Sequence, residues 1–410
     1  MRSDRAREDL LAIYQAALDA VNGRHCVARY LRDNEAMINR PVHVIAIGKA
    51  AVSMSEGVLD VLGGNIADAF VATKLGYGAP LPWTVYEGGH PLPDESSLEA
   101  GVALLNYVQR LSEDAEVLVL LSGGASTIVE LLADGVTLAH LLELNENLLT
   151  SSLDIAHCNY LRKRLSRLKA GGLAAMLAPR NVRVLAISDV AGDDAAVIGS
   201  GPLTPSTNEQ QTLLLSPLLS TELSEQLLRP VENNLASSDH VDYVIVANLH
   251  MACRAAADKA CELGYSVHYN EHELVGDINS EAQKFVHQLL SLEPGTVLLC
   301  GGEPVIGLPD QPGRGGRCQH FALLVADSIN EKTGYSVLSA ATDGSDGPGD
   351  DAGALVDADT AARIKQEGLD IKACLATADS AYALDAAGAL LSTGPTGTNV
   401  RDLFMGIRLE

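Results

Sequence analysis

Residues 117–126 read VLVLLSGGAS and join five consecutive aliphatic residues to a loop with two glycines and two serines. A continuous aliphatic run is typical of a strand that is buried on both faces of a sheet. Similar runs occur at residues 42–47, 182–187, 244–247, 297–300 and 335–340, and most end in a polar, glycine-rich loop. They alternate with segments of helical periodicity, which predicts an α/β fold with largely parallel sheets. Because ligands of such folds bind at the carboxyl ends of the strands, we expect the loops to form the functional site.

The length of 410 residues predicts two domains. We expect each to have three α/β/α layers. The middle of the chain has little hydrophobic periodicity, and we place the boundary there, near residues 233–239. The prediction is an N-terminal Rossmann-like domain over residues 1–236 and a C-terminal α/β domain over residues 237–410.

Composition excludes several classes of protein. A net charge of -24 repels phosphate backbones, so we expect no nucleic-acid partner. The seven cysteines include no C-x-x-C pair, which indicates reduced thiols rather than disulfides or structural zinc. The N-terminus predicts an amphipathic helix rather than a signal peptide, and no apolar run is long enough to span a membrane. We therefore expect a soluble, cytoplasmic protein.

Two loops could bind an anion in this acidic chain. In the first, Gly123 and Gly124 would let backbone N–H groups approach a phosphate, and Ser122 and Ser126 add donors. An ordinary strand-to-helix turn is the alternative. The second loop places Lys49 after a strand and before small residues; it lacks the spacing of a P-loop, but an inward-facing cation is plausible. The alternative for Lys49 is a solvated charge.

Further chemistry-bearing residues follow other strands or lie in glycine-rich loops. Asp189 directly follows the run at 182–187, where a Mg²⁺ ligand or an acid/base group is expected. In GRGGR, Arg314 and Arg317 could each hold a carboxylate or phosphate through two parallel hydrogen bonds, or the loop could be a flexible surface segment. His90, in GGHPLPD, could contact substrate or play a structural role.

The stretch ATDGSDGPGDD, at residues 341–351, carries four carboxylates. An EF-hand loop starting at Asp343 would need ligands and a glutamate at positions that this sequence fills with other residues, which excludes that type of calcium site. The stretch follows an aliphatic run. We therefore expect one or two of Asp343, Asp346 and Asp351 to supply metal ligands.

Taken together, these loops resemble the glycerate 2-kinase family, whose C-terminal part is called the MOFRL domain and would occupy about residues 295–405. The motifs occur in one order along nearly the whole chain: IGKAA, GGHPLPD, LSGGAS, SDVAGDD…GSGP, GGEP, GRGGR, TDGSDGPGDDAGA and TGPTGTNVRDL. Some members of the family are labelled hydroxypyruvate reductase.

The resemblance implies two α/β domains with the active site in the cleft between them. It also implies transfer of the ATP γ-phosphoryl group to the 2-hydroxyl of D-glycerate, with Mg²⁺, giving 2-phosphoglycerate. Lys49 and Arg317 match the lysine and arginine of the family's site. Glu303 and the acidic stretch would complete the metal and ribose contacts.

The sequence departs from the family pattern at Cys318, His320 and Arg401, which bear on substrate identity and activity. Two rival functions follow. One is a nucleotide- or hydroxy-acid-binding protein with a degenerate site. The other is an NAD(P)H-dependent hydroxypyruvate reductase, although no strand end supplies G-x-G-x-x-G. The oligomeric state is open, with a homodimer as one option.

Overall fold

The computed structural model describes residues 2–34, 40–150, 155–204, 219–229 and 239–409. The chain divides into two compact units. The amino unit is Gly23–Val246, and the carboxy unit combines Met1–Asn22 with Ala247–Glu410. Helices and strands are numbered along the chain. Among the described residues, no helix is both long and apolar enough to cross a membrane.

The described part of the amino unit contains one sheet of six strands in the order β3-β2-β1-β4-β5-β6. Its strands are β1 (Val42–Ile47), β2 (Ile66–Lys74), β3 (Val85–Gly88), β4 (Glu116–Leu121), β5 (Asn181–Ile187) and β6 (Val241–Ala247). The four pairings from β3 to β5 are all parallel. Its helices are α2 (Gly23–Asp33), α3 (Ala51–Leu62), α4 (Glu95–Gln109), α5 (Ala125–Ile128), α6 (Leu138–Thr150), α7 (Ile155–Arg164), α8 (Gly172–Leu177) and α9 (Thr221–Leu228).

The aliphatic runs explain this sheet. In β4, five of the six residues are buried, because helices cover both faces of the central strands. Leu104 of α4, Ile128 of α5 and Leu177 of α8 pack into the same core as Val119 and Leu121. The runs at 42–47, 117–121 and 182–187 are confirmed as strands, and the two-domain α/β class is confirmed with them.

The described part of the carboxy unit also has one six-stranded sheet, in the order β11-β10-β9-β12-β8-β7. Its strands are β7 (Ser266–Tyr269), β8 (Thr296–Gly302), β9 (Tyr335–Ala341), β10 (Gly353–Asp357), β11 (Leu390–Leu391) and β12 (Asp402–Arg408). Its helices are α1 (Arg2–Val21), α10 (Leu249–Glu262), α11 (Ile278–Ser291), α12 (Arg317–Ser328), α13 (Thr360–Gln366), α14 (Ile371–Ala376) and α15 (Ser380–Ala386).

This second sheet is mixed rather than parallel throughout. Strands β7, β8, β9 and β11 share one direction, but β10 and β12 run the opposite way between them. Only the β7–β8 pair is therefore parallel. The sequence analysis identified neither reversed strand, although both are largely buried. On one face of the sheet, Phe321 packs against Phe285 and Phe404, with ring centroids 5.3 and 4.5 Å apart.

Helix α1 belongs to the carboxy unit, whereas residues 1–236 were predicted to form one domain. Tyr14 donates a hydrogen bond of 2.6 Å to the carbonyl of Ala341 at the end of β9, and Tyr265 donates one of 2.6 Å to Asp9. These partners are more than 250 positions apart in sequence. No local pattern could therefore have indicated where α1 packs.

Candidate functional site

The predicted site residues fall into two groups, one in each unit. In the amino unit, strands β1, β4 and β5 are parallel and nearly in register, with Ile47 opposite Leu121 and Leu121 opposite Ala186. Their carboxyl ends therefore meet at one edge of the sheet. Lys49 and Asp189 follow directly after two of these ends, as predicted.

The loops after β1 and β4 interlock. Gly48 has φ +123°, and a Cβ there would lie 2.3 Å from the Ser122 hydroxyl oxygen. The Lys49 N–H donates to the Gly123 carbonyl at 2.9 Å, and the Ser122 hydroxyl accepts from the Ala50 N–H at 3.0 Å. Only glycine fits at position 48, because the backbones pass so closely. Ser122 is buried and supports the turn.

Gly124 lies between the side chains of Lys49 and His90. It has φ +82°, and a Cβ built there would be 3.3 Å from both His90 Nδ1 and Lys49 Cγ. His90 Nδ1 is 2.8 Å from Thr127 Oγ1, which is 3.3 Å from the Gly124 carbonyl oxygen. Gly124, Lys49 and His90, which were all predicted site residues, are therefore neighbours. The sequence analysis missed Thr127, although it lies next to Ser126 in α5.

Ser126 and Asp189 complete the amino-unit group. Both are half-buried, Ser126 in α5 and Asp189 after β5. Tyr243 of β6 has a buried hydroxyl with no hydrogen-bond partner among the described residues. Burial raises the pKa of Tyr243, and the charges of Asp189 and Asp194 raise it further.

In the carboxy unit, Arg317 begins α12 and binds two carboxylates. Its Nε and Nη2 donate to Asp402, and its Nη1 lies 2.9 Å from Glu303 Oε1. The Asp402 side chain is 1% exposed, whereas that of Arg317 is 33% exposed. Burial disfavours the charged guanidinium, but the charge and hydrogen bond of Asp402, together with the charges of Glu303 and Cys318, outweigh this effect and the pKa of Arg317 is raised. The sequence analysis missed Asp402, which starts β12; an acidic residue at the end of the TGTNVRDL motif was the available signal.

Asp346 caps helix α12 from the acidic stretch. Its two oxygens accept the backbone N–H groups of Cys318 and Gln319 at 3.0 and 2.7 Å. Burial and then the charge of Asp402 raise the pKa of Asp346 to about 7, against the opposing effect of the two N–H donors. Both oxygens are therefore engaged in holding the helix that carries Arg317.

The other two predicted metal ligands of this stretch also have partners. Asp343 is 4% exposed and accepts from the Ser345 N–H at 3.0 Å, while Asp351 binds the Ser392 hydroxyl. Across the described ranges, no three His, Cys, Asp or Glu residues are grouped so that they could hold a metal ion. The stretch thus contributes turns and a helix cap in this structure.

Arg314 lies apart from the buried acids around Arg317. Its guanidinium binds Asp385 of α15 at 3.1 Å, in a pair that is more than half exposed. Its backbone N–H donates to Asp379 at 2.8 Å. The two arginines of GRGGR consequently have different environments, and only Arg317 has a largely buried partner.

The three departures from the family pattern lie in the interior. Arg401 makes two hydrogen bonds of 2.6 Å to Glu273, so its added charge is balanced by a residue that the sequence analysis did not single out. Cys318 is fully buried. His320 is 5% exposed, and burial lowers its pKa below the ordinary value for histidine. None of the three adds an exposed charge.

A cavity of about 550 Å³ lies at the opposite edge of the amino-unit sheet. It is lined by the first residues of β1, β4, β5 and β6, among them Val42, Glu116, Asn181 and Val241. Ligands of parallel sheets bind at the carboxyl ends of the strands. We therefore assign the site to the loops around Lys49 and not to this cavity.

Comparison with known proteins gives matches over both units. Residues 9–236 match a family model described as a domain of unknown function (DUF4147), and residues 296–402 match the MOFRL family. A Thermotoga maritima protein named D-glycerate 2-kinase is 36% identical, over 89% of this chain and 90% of the relative. An Agrobacterium vitis protein with the provisional name hydroxypyruvate reductase is 34% identical, over 88% of this chain and 97% of the relative. The crystal structure of a glycerate kinase from Thermotoga maritima superimposes with a TM-score of 0.81 at 33% identity, covering 98% of this chain and 100% of that one.

Proposed function

This chain belongs to the glycerate 2-kinase family, and we propose that it transfers the γ-phosphoryl group of ATP to the 2-hydroxyl of D-glycerate, giving 2-phosphoglycerate. The observation that carries the proposal is its similarity, over nearly the full length of both chains, to a relative named D-glycerate 2-kinase. The lysine and glycine-rich loops at the strand ends supply what phosphoryl transfer requires: alignment of the reactants and neutralisation of phosphate charge.

In the amino unit, we assign phosphate binding to the loop after β4. The backbone N–H groups of Gly123, Gly124 and Ser126 would approach phosphate oxygens, with Ser122 supporting the loop from below. Lys49 would neutralise charge on the transferred group. Its backbone N–H donates to the Gly123 carbonyl, so the start of the Lys49 side chain keeps one position relative to the loop. Such preorganisation stabilises a developing charge without reorganisation during the reaction.

In the carboxy unit, we assign anion binding to Arg317. A guanidinium has five N–H donors, and the contacts to Asp402 and Glu303 leave others for a carboxylate or phosphate of the substrates. Asp402 and the helix cap at Asp346 hold the arginine in position. Glu303 stays a predicted nucleotide contact and Arg314 a predicted substrate contact.

We propose Asp189 as the magnesium ligand. Kinases hold Mg²⁺ through one or two carboxylates together with substrate phosphates, so a cluster of protein ligands is not required. Asp189 fits this pattern because it is half-buried after β5, and β5 pairs with β4, which carries the loop assigned to phosphate. Asp343 is almost fully buried, and Asp346 caps α12 with both of its oxygens. When bound with ATP, the ion would orient the phosphates and offset their charge.

The proposal is tested by ADP release from purified protein with ATP, Mg²⁺ and D-glycerate. Lys49→Ala and Arg317→Ala should each lower kcat/KM at least about 100-fold, the size of effect seen when one preorganised charge contact is lost. Asp189→Asn should raise the Mg²⁺ concentration needed for half-maximal activity. Unchanged activity in all three variants would overturn the assigned roles.

The provisional name of the Agrobacterium vitis relative keeps the reductase as a second candidate. A nicotinamide site of the Rossmann type would require G-x-G-x-x-G at a strand end, and the sequence has none. Loss of NADH absorbance with hydroxypyruvate, in the absence of ATP, would support the reductase. The degenerate binding protein would bind nucleotide in calorimetry but turn over no hydroxy acid. A cytoplasmic location and a homodimer remain predictions.

A further inference from the structure

The loop that precedes Arg317 consists almost entirely of glycine. Gly313, Gly315 and Gly316 surround Arg314, and glycine has the largest backbone freedom of any residue. Such a loop has few side chains of its own with which to fix the residue that follows it. Neighbouring segments must therefore hold its backbone, and two of them do so.

The first segment is the α14–α15 junction, which connects those two helices. It is tied to the loop by backbone hydrogen bonds: the Gly313 N–H donates to the Thr377 carbonyl at 2.8 Å, and the Ala381 N–H donates to the Arg314 carbonyl at 2.9 Å. Between them, the Arg314 N–H donates to a carboxylate oxygen of the half-buried Asp379 at 2.8 Å. Asp379 is the member of this set that contributes a side chain.

The second segment is the acidic stretch, which approaches the loop from another side. A Cβ at Gly316 would lie 2.3 Å from a carboxylate oxygen of Asp346, just as a Cβ at Gly313 would lie 2.3 Å from the Asp379 Cβ. The loop is therefore in close contact with both segments and has no room for side chains at these two positions. Arg317 directly follows Gly316, so these contacts determine where the arginine begins.

We infer that Asp379 is a positioning residue for Arg317: it fixes the backbone at Arg314 and thereby the start of α12, which carries the guanidinium. The inference rests on the proposed kinase function, in which Arg317 binds a carboxylate or phosphate of the substrates. Asp379 acts through the backbone and not on the substrate. Its oxygen accepts an N–H group, and an amide oxygen can do the same without a charge.

Substitution of Asp379 tests the inference through the kinetics of ADP release. Asp379→Ala removes the acceptor and should lower kcat/KM about 10-fold, less than the loss expected for Arg317→Ala, because the two backbone hydrogen bonds of the loop persist. Asp379→Asn keeps an oxygen acceptor and should stay within about threefold of the unaltered protein. Asp370→Ala serves as the control, since Asp370 also accepts a backbone N–H, from Lys372 at 2.9 Å, but at the other end of α14. It should leave kcat/KM unaltered.

A double-mutant comparison separates positioning from a general structural role. In an Arg317→Ala background, Asp379→Ala should cause no further loss of kcat/KM, because the side chain that it positions is absent. A general structural effect would lower kcat/KM about equally in both backgrounds.

The placement of Arg317 can also be followed without turnover. Proton–nitrogen NMR spectra report the Nε–H group of an arginine, and in Arg317 this group donates to Asp402. The signal, assigned from its loss in Arg317→Ala, should shift in Asp379→Ala and keep its position in Asp379→Asn and in Asp370→Ala. If Asp379→Ala does not fold, Gly313→Ala takes its place, because the added Cβ would displace Asp379 and should shift the same signal.

The outcomes separate this inference from the kinase function. An Arg317 signal that does not move in the folded Asp379→Ala variant, or an equal loss of kcat/KM in the two backgrounds, would overturn the inference and leave the kinase function standing. If Arg317→Ala has no measurable turnover, the NMR signal decides. A signal that shifts as expected in a protein that releases no ADP would contradict the kinase function, while the placement of Arg317 by Asp379 would stand.

Discussion

Asp402→Asn tests how Arg317 is held. Asn has the same shape as Asp and keeps one oxygen, but it removes the charge that faces the Arg317 Nε and Nη2 atoms. Asp402 is 1% exposed and Arg317 is one-third exposed. The guanidinium would therefore lose its buried counter-charge and retain only Glu303, an exposed residue.

The size of the effect follows from this burial. Breaking a fully buried ion pair costs about 3–5 kcal/mol. Because Arg317 is partly solvated and Asn keeps one acceptor, we expect a smaller loss of about 2–3 kcal/mol in the free energy of unfolding. Part of this loss is offset, because removing the charge of Asp402 also removes its repulsion of the Asp346 carboxylate, which contributes to the raised pKa of Asp346. If Arg317 leaves its position, kcat/KM should fall about 100-fold. A loss of about 2–3 kcal/mol corresponds to a change of this size, since about 1.4 kcal/mol corresponds to a factor of ten.

Urea denaturation followed by circular dichroism measures the first quantity, and ADP release measures the second. Asp385→Asn is the matched control, because it removes the partner of Arg314, the other arginine of the same loop, in a pair that is more than half exposed. Exposed pairs contribute about 0–1 kcal/mol, so this variant should resemble the unaltered protein in stability. Equal urea midpoints for the two variants, together with an unaltered kcat/KM in Asp402→Asn, would refute the role given to Asp402.

Three other substitutions test the frame around the site. Gly48→Ala places a Cβ 2.3 Å from the Ser122 hydroxyl oxygen at φ +123°. Differential scanning calorimetry should therefore show a melting temperature that is lower by about 5–10 °C. An unchanged melting temperature would contradict the close approach of the loops after β1 and β4. Glu130→Gln leaves the ammonium of Lys169 buried without its counter-charge and should lower the free energy of unfolding, measured in urea, by about 3–5 kcal/mol. Adding Lys169→Met should recover part of this loss. A small effect of Glu130→Gln alone would show that the ion pair contributes little to stability. Asp346 has a folded-state pKa of about 7 against a reference of 3.8, so the folded protein binds this proton more tightly than the unfolded chain does. The free energy of unfolding should therefore fall as the pH rises from about 4 to 7. Urea midpoints across that range should vary less in Asp346→Asn.

The sequence predicted strands β1, β4, β5 and β6 of the amino-unit sheet, because each contains a continuous aliphatic run; it did not predict β2 and β3. It did not predict β12, a short strand with Asp402 and Arg408 at its two ends and Gly406 inside its apolar segment. That strand is nevertheless central in its sheet and largely buried. Pairing with β8 and β9, not local periodicity, determines its place.

The same limit applies to the site. Residue type and position after a strand were enough to single out Lys49 and Asp189, and a loop with two glycines and two prolines drew attention to His90. They could not show that both oxygens of Asp346 accept N–H groups of α12, because that contact spans 27 and 28 positions and depends on how a loop folds back. A cluster of carboxylates reads as a metal site in sequence even when its members are used as caps and turns.

The most direct test of the central claim is the phosphorus NMR spectrum of the product formed from ATP, Mg²⁺ and D-glycerate. The account predicts a phosphoester signal split into a doublet, because the phosphate on the 2-oxygen couples to the single proton on C2. A triplet would place the phosphate on the 3-oxygen, next to two protons. A triplet, or ATP that remains unconsumed with folded protein, would contradict the assignment as a glycerate 2-kinase.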